Sequence, residues 1–271
     1  MVRIIIALLF CFPAVTFAQT YQQLSERVIE CIDRQSSPGR GTFLQALKLE
    51  PKNAKNALLF SNLGLVQRRL GEFDKALESY SFALNFAPLA VPILLDRAAI
   101  YMEMGKTDRA YTDYCQVLDE DKQNKEALLM RAYIYVLRRD YPAARIDYNR
   151  LLELDPQSYS GRLGLATLEQ KEGKFREALE ILNKMLAATP EDATLYIARA
   201  DVEREMKHED LALVDLEEAI RLDAASADAY LLRGNIYLAQ KKKGLAKADF
   251  EKAISLGVPP ADLHEQLRQC K

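Results

Sequence analysis

The chain has 271 residues, a formal charge of −2, 28% charged residues and 49% apolar ones. That length holds one large domain or two ordinary ones, and the composition excludes a disordered chain. The near balance of charge leaves no basic face for nucleic acid and no acidic tail.

Residues 1–18 read as a secretory signal. Arg3 is followed by the apolar run Ile4–Phe12, Pro13 breaks it, and Thr16-Phe17-Ala18 offers a small-residue exit, so cleavage is expected between Ala18 and Gln19. The run is short for an uncleaved anchor. A lipoprotein signal using Cys11 would want a small residue where Phe10 stands. No later stretch is long and apolar enough to cross a bilayer, so no transmembrane segment is expected after cleavage. The expected destination is the periplasm, the cell envelope or the medium.

Residues 19–56 come next. Tyr21, Leu24, Val28 and Ile32 recur at helical spacing, Ser36 to Gly41 is a loop by composition, and Phe43, Ala46 and Leu49 begin a short second helix closed by Pro51. This is a degenerate helix pair, as a terminal copy of a repeated unit should be.

From Ala57 to Pro260 the chain repeats every 34 residues without insertion or deletion. The six units are residues 57–90, 91–124, 125–158, 159–192, 193–226 and 227–260, here repeats 1 to 6. Each reads as two amphipathic helices, with turns expected near residues 71, 105, 139, 173, 207 and 241. The eighth position is always small: Gly64, Ala98, Ala132, Ala166, Ala200 and Gly234. The twentieth is always alanine, at 76, 110, 144, 178, 212 and 246. Two antiparallel helices approach closest at such places, where a larger side chain would push them apart. The twenty-fourth is bulky: Tyr80, Tyr114, Tyr148, Leu182, Leu216 and Phe250. Proline closes three units, at 88, 156 and 190. Residues 261–271, with Leu263 and Leu267 four apart, form a polar-faced helix that caps the last unit.

This pattern resembles the tetratricopeptide repeat family. The resemblance implies an all-α fold, a right-handed α-solenoid of helix hairpins. The family's tyrosine at the eleventh position is kept as Tyr101, Tyr135 and Tyr237 but replaced by Gln67, Glu169 and Glu203, so repeats 4 and 5 are the least typical and looser packing is expected there.

Four repeats carry arginine at the seventh position and aspartate at the twenty-third: Arg97 with Asp113, Arg131 with Asp147, Arg199 with Asp215, and Arg233 with Asp249. In the other two both charges vanish together, leaving Leu63 with Ser79 and Leu165 with Ile181. Joint presence and joint absence argue for contact, and the bland reading is a structural ion pair that staples each hairpin.

Enzyme signals are missing. There is no glycine-rich phosphate loop, no HExxH and no nucleophile elbow. Cys31, Cys115 and Cys270 fit no zinc spacing and read as structural or incidental thiols. No metal and no cofactor is expected. His208 falls in a turn and His264 in the capping helix, where solvent exposure is the simpler reading.

Binding is therefore the expected function: an exported scaffold or adaptor for a protein or peptide, the alternative being a non-catalytic subunit of an envelope enzyme or an unrecognised envelope enzyme itself. The resemblance implies a concave surface lined by the second, fifth, ninth, twelfth and thirteenth positions of each first helix. A family clamp for chaperone C-termini does not fit, since its positions in the first three repeats hold Ser61, Leu65, Asp96, Glu126 and Met130. The apolar stretch of that surface lies in repeats 2 and 3, at Leu95, Ala99, Met102, Leu129, Tyr133, Val136 and Leu137, and this is the expected partner-binding groove. In repeats 4 and 5 the ninth, twelfth and thirteenth positions turn polar, from Thr167, Gln170 and Lys171 to Asp201, Arg204 and Glu205.

Overall fold

A computed structural model describes residue 53 and residues 55–271. The expected signal peptide and the degenerate pair up to Asn56 thus lie almost wholly outside the described residues, as do Cys11 and Cys31. The described residues are helical throughout, with no strand. They divide between Ile134 and Tyr135 into two compact units.

The first unit holds α1 (Asn56–Arg69), α2 (Phe73–Phe86), α3 (Val91–Glu103), α4 (Thr107–Glu120) and most of α5 (Lys125–Leu137). The second holds the end of α5, then α6 (Tyr141–Leu154), α7 (Tyr159–Lys171), α8 (Phe175–Ala188), α9 (Ala193–Glu205), α10 (Glu209–Leu222), α11 (Ala227–Ala239) and α12 (Lys243–Ser255). A 3-10 turn, Pro260–Leu263, precedes the last helix α13 (His264–Gln269). Helices pack as consecutive hairpins: α1 on α2 and α3 on α4 in the first unit, and α7 on α8, α9 on α10 and α11 on α12 in the second.

The turns fall where the period puts them. Gly71, Gly105, Arg139, Gly173, Lys207 and Lys241 all have positive φ, between 59° and 76°. Each closes a first helix in the same way: the next residue's N–H bonds to the carbonyl five residues back, as from Glu72 to Gln67 and from His208 to Glu203. Glycine adopts this left-handed backbone freely, whereas Arg139, Lys207 and Lys241 hold it against a steric penalty. Side chains then restart several helices, with Asp140, Ser158, Asp192 and Ser226 accepting from backbone N–H groups of the first turn.

The alanines at the twentieth position are fully buried, and the bulky residues at the twenty-fourth are at most 3% exposed. The small eighth position is required where it is glycine: a Cβ on Gly234 would lie 2.8 Å from the Phe250 ring. Repeats 4 and 5 are not loosely packed, contrary to the expectation from their missing tyrosines. Leu168, Leu182, Leu195 and Leu216 are as buried as their counterparts elsewhere. The reason is that the polar replacements find partners. Gln67 accepts from Ser79 Oγ at 2.7 Å, Glu169 from Arg145 Nη2 at 2.9 Å, and Glu203 Oε2 lies 2.7 Å from His208 Nδ1. Arg145 also reaches Glu172, and its guanidinium pKa is pushed up chiefly by the Glu169 carboxylate. The tail starts as a 3-10 turn, and Leu263 buries itself beside Phe250 and Ala253.

Candidate functional site

The inner positions of the first helices build a surface of their own in the second unit. There α7, α9 and α11 line an open, shallow hollow of about 480 Å³. Its floor is apolar, made by Leu163, Ile197, Ala198, Leu231 and Leu232 at the fifth and sixth positions. Its walls are polar: Thr167, Gln170, Lys171, Thr194, Asp201, Asp228 and Asn235.

The middle of the hollow is internally satisfied. Gln170 Nε2 donates to Asp201 Oδ2 at 2.8 Å and to Glu205 Oε1 at 3.1 Å, while Arg204 donates to Asp201 Oδ1 from Nε at 3.0 Å and from Nη2 at 2.6 Å. Its two ends differ. Lys171, the last residue of α7, and Asp228, in the first turn of α11, are both exposed and have no described hydrogen bond or ion pair. An apolar floor with hydroxyl and amide groups on its walls can bury side chains of an extended segment and bond its backbone.

The residues expected from sequence to form the groove are spread over both units. Leu95, Ala99, Met102, Leu129 and Tyr133 lie in the first, and Val136 and Leu137 in the second. Tyr133 and Leu137 are 45% and 52% exposed, and the other five are half-buried. The surface beside them in the first unit is not purely apolar. Arg68 of α1 bridges to Glu103 of α3, and Asp96 sits half-buried near Arg68 and Tyr80. Burial raises the Asp96 pKa above the usual carboxylate value, and Arg68 and Tyr80 oppose that shift.

Three of the four arginines meet their aspartates. Arg97, Arg199 and Arg233 each donate from Nε and Nη2 to both carboxylate oxygens of Asp113, Asp215 and Asp249, at 2.7–2.8 Å. The aspartates are 2–6% exposed. For Arg199 and Arg233 the bonded carboxylate is the largest influence on the guanidinium and raises its pKa. Arg131 and Asp147 have one member in each unit, and their pairing stays an expectation. The arginine does more than staple its own hairpin. In three of the four, Nη1 reaches back to the twenty-fifth position of the repeat before: Arg97 to Ser81 at 3.3 Å, Arg131 to Cys115 Sγ at 3.7 Å, and Arg199 to Asn183 at 2.7 Å. These ties lie in the body of the repeats, which supports a structural role.

The wedge between repeats holds a glycine that the sequence reading passed over, Gly164. Tyr148 lies over Gly164, where an added Cβ would come within 2.5 Å of its ring. Among the described residues no His, Cys, Asp and Glu cluster has the form of a metal site, and Cys115 and Cys270 are free thiols. No helix among them is long and apolar enough to cross a membrane.

With this geometry in hand, comparison with known proteins gives one result. Three tetratricopeptide repeat matches cover residues 95–159, 138–202 and 227–256. A tetratricopeptide repeat protein from Parabacteroides merdae is 35% identical, with 93% of this chain and 99% of that chain covered and a TM-score of 0.83. The APC/C assembly Cut9–Hcn1 matches at 13% identity over 94% of this chain and 48% of that chain, with a TM-score of 0.67. YrrB, described as having an unusual peptide-binding site, is 19% identical over 74% of this chain and 97% of its own, with a TM-score of 0.55. The last two likenesses are of fold alone. No curated protein matches significantly.

Proposed function

The chain belongs to the tetratricopeptide repeat family, and on that premise we propose that it is an exported, non-catalytic scaffold holding a protein or peptide partner on the inner faces of its first helices. The observation that carries this reading is the hollow between α7, α9 and α11, whose apolar floor and polar walls suit an extended segment. Further proposed partner contacts are Leu95, Ala99, Met102, Leu129 and Tyr133 of the first unit and Val136 and Leu137 of the second, with exposed Tyr133 as the best single anchor in the first unit. Export rests on the apolar run after Arg3 and the small-residue exit at Ala18. The destination proposed is the periplasm, the cell envelope or the medium.

The test uses the protein without residues 1–18 as bait for its own envelope fraction. Leu231→Asp addresses the hollow, and Met102→Asp with Tyr133→Asp addresses the first unit. Retained helicity by circular dichroism with lost capture is the expected result. Unchanged capture by both variants would move the partner off the inner faces. Mass spectrometry of the exported protein checks cleavage after Ala18.

A further inference from the structure

The two free charges at the ends of the hollow carry a statement about its ligand, which rests on the reading of the inner face as a binding surface. We infer that the hollow of α7, α9 and α11 selects an extended segment of about seven residues with a basic side chain at one end, an acidic one at the other, and apolar side chains between. Gln170 and Asp201 of the hollow bond with neighbouring Arg204 and Glu205, and the net formal charge of −1 on this set is already engaged in these contacts. Asp228 and Lys171 are exposed, with no described partner, at opposite ends. Asp192, capping α9, is already engaged, since its Oδ1 accepts from the Thr194 N–H at 2.9 Å.

The length follows from geometry. Lys171 is the last residue of α7 and Asp228 the second of α11, each helix being 13 residues long. Eleven helical steps advance about 16 Å, and two spacings between neighbouring helices add about 18 Å across. The diagonal is about 24 Å, which about seven extended residues span. Alternate side chains of such a segment face the floor, where Leu163, Ile197 and Leu231 lie. Thr167 and Asn235 are placed to bond the segment's backbone.

Chain direction is left free by this arrangement, so the test reads the pair of end charges. Three capped heptapeptides, KLTLTLE, ELTLTLE and KLTLTLK, are titrated by fluorescence polarisation into the full chain lacking residues 1–18. The unaltered protein should prefer KLTLTLE about five- to tenfold over either other peptide, the scale of two exposed charge pairs. The preference should shrink at high salt. Lys171→Glu makes both ends acidic and should move the preference to KLTLTLK. Asp228→Lys makes both ends basic and should move it to ELTLTLE. Leu231→Asp should weaken all three. Asp228→Asn controls for the carboxylate's favourable place at a helix N-terminus. Equal affinity for the three peptides, unmoved by either reversal but lost in Leu231→Asp, would overturn the selection while leaving the hollow a binding site. Failure of every peptide, with envelope capture still sensitive to Leu231→Asp, would overturn this inference alone.

Discussion

The tie around Arg199 offers the most direct test of what holds consecutive repeats together. Arg199→Ala removes two charge-assisted bonds to Asp215, at 2.8 and 2.7 Å, and one to Asn183 at 2.7 Å. Asn183 is exposed and rehydrates, so its loss is small. Asp215 is 6% exposed and is left charged with its partner gone. Stranding a buried charge costs about 3–5 kcal/mol. The arginine side chain is 25% exposed, so water entering its place offsets part of this, and about 3 kcal/mol is expected. The double change Arg199→Leu with Asp215→Ile copies what repeat 4 already does with Leu165 and Ile181. It strands no charge and should stay within about 1 kcal/mol of the parent. Urea unfolding followed by circular dichroism gives the comparison, with hydrogen exchange of α9 and α10 locating any loosening, since repeat arrays need not unfold as one unit. Equal destabilisation by the single and the double change would refute the argument, because the cost would then lie in lost volume rather than in the stranded charge.

Other outcomes follow from features already described. Arg139→Gly, Lys207→Gly and Lys241→Gly should each raise stability by about 0.5–1 kcal/mol, since all three hold a left-handed backbone; a loss in urea unfolding would mean that the side chains stabilise the turns. Gly164→Ala should cost about 1–3 kcal/mol by forcing a methyl against Tyr148, and adding Tyr148→Leu should recover part of it in the same assay. Asp96 has a folded-state pKa raised by burial, so the folded chain holds its proton more tightly and the stability it lends at low pH is lost as pH rises through that raised value. Asp96→Asn should therefore raise the urea midpoint at neutral pH, with the gain fading below the ordinary carboxylate range. A gain independent of pH would place its cause elsewhere.

Much of this fold was legible because the helix-closing turns and the small and bulky positions obey one period. The left-handed turns at Arg139, Lys207 and Lys241 followed from register, although none of the three is a residue that favours such a turn. The arginine–aspartate bonds were legible because both partners disappear together in repeats 1 and 4. Their second attachment was not, because the twenty-fifth position varies from Ser81 to Cys115 to Asn183 and shares only the ability to accept a hydrogen bond. The hollow was missed for a similar reason. Attention to the ninth, twelfth and thirteenth positions of repeats 4 and 5 finds polar groups, which form its walls. Its floor comes from the fifth and sixth positions, including Leu231 and Leu232 of repeat 6, and depth on a helix face cannot be read from polarity alone. The fit between Gly164 and Tyr148 joins the twenty-fourth position of one repeat to the sixth of the next, as Tyr80 and Asp96 do, but glycine stands at that sixth position in repeat 4 alone.

The arginine tie also bears on how such a chain changes its length. Arg199 stands sixteen residues before its aspartate and sixteen after its acceptor in the preceding repeat, and Arg97 does the same. Excising residues 193–226 would put Asn183, which now serves Arg199, sixteen residues ahead of Arg233. The splice would meet a ready-made acceptor, and duplication of a whole repeat would do the same. The same excision would take α9 out of the hollow, removing Ile197, Ala198 and Asp201 from its lining. Copying or losing a repeat can therefore redraw the inner face while offering the next arginine an acceptor at the same spacing, so new surfaces can be sampled by recombination without each one first having to learn to fold.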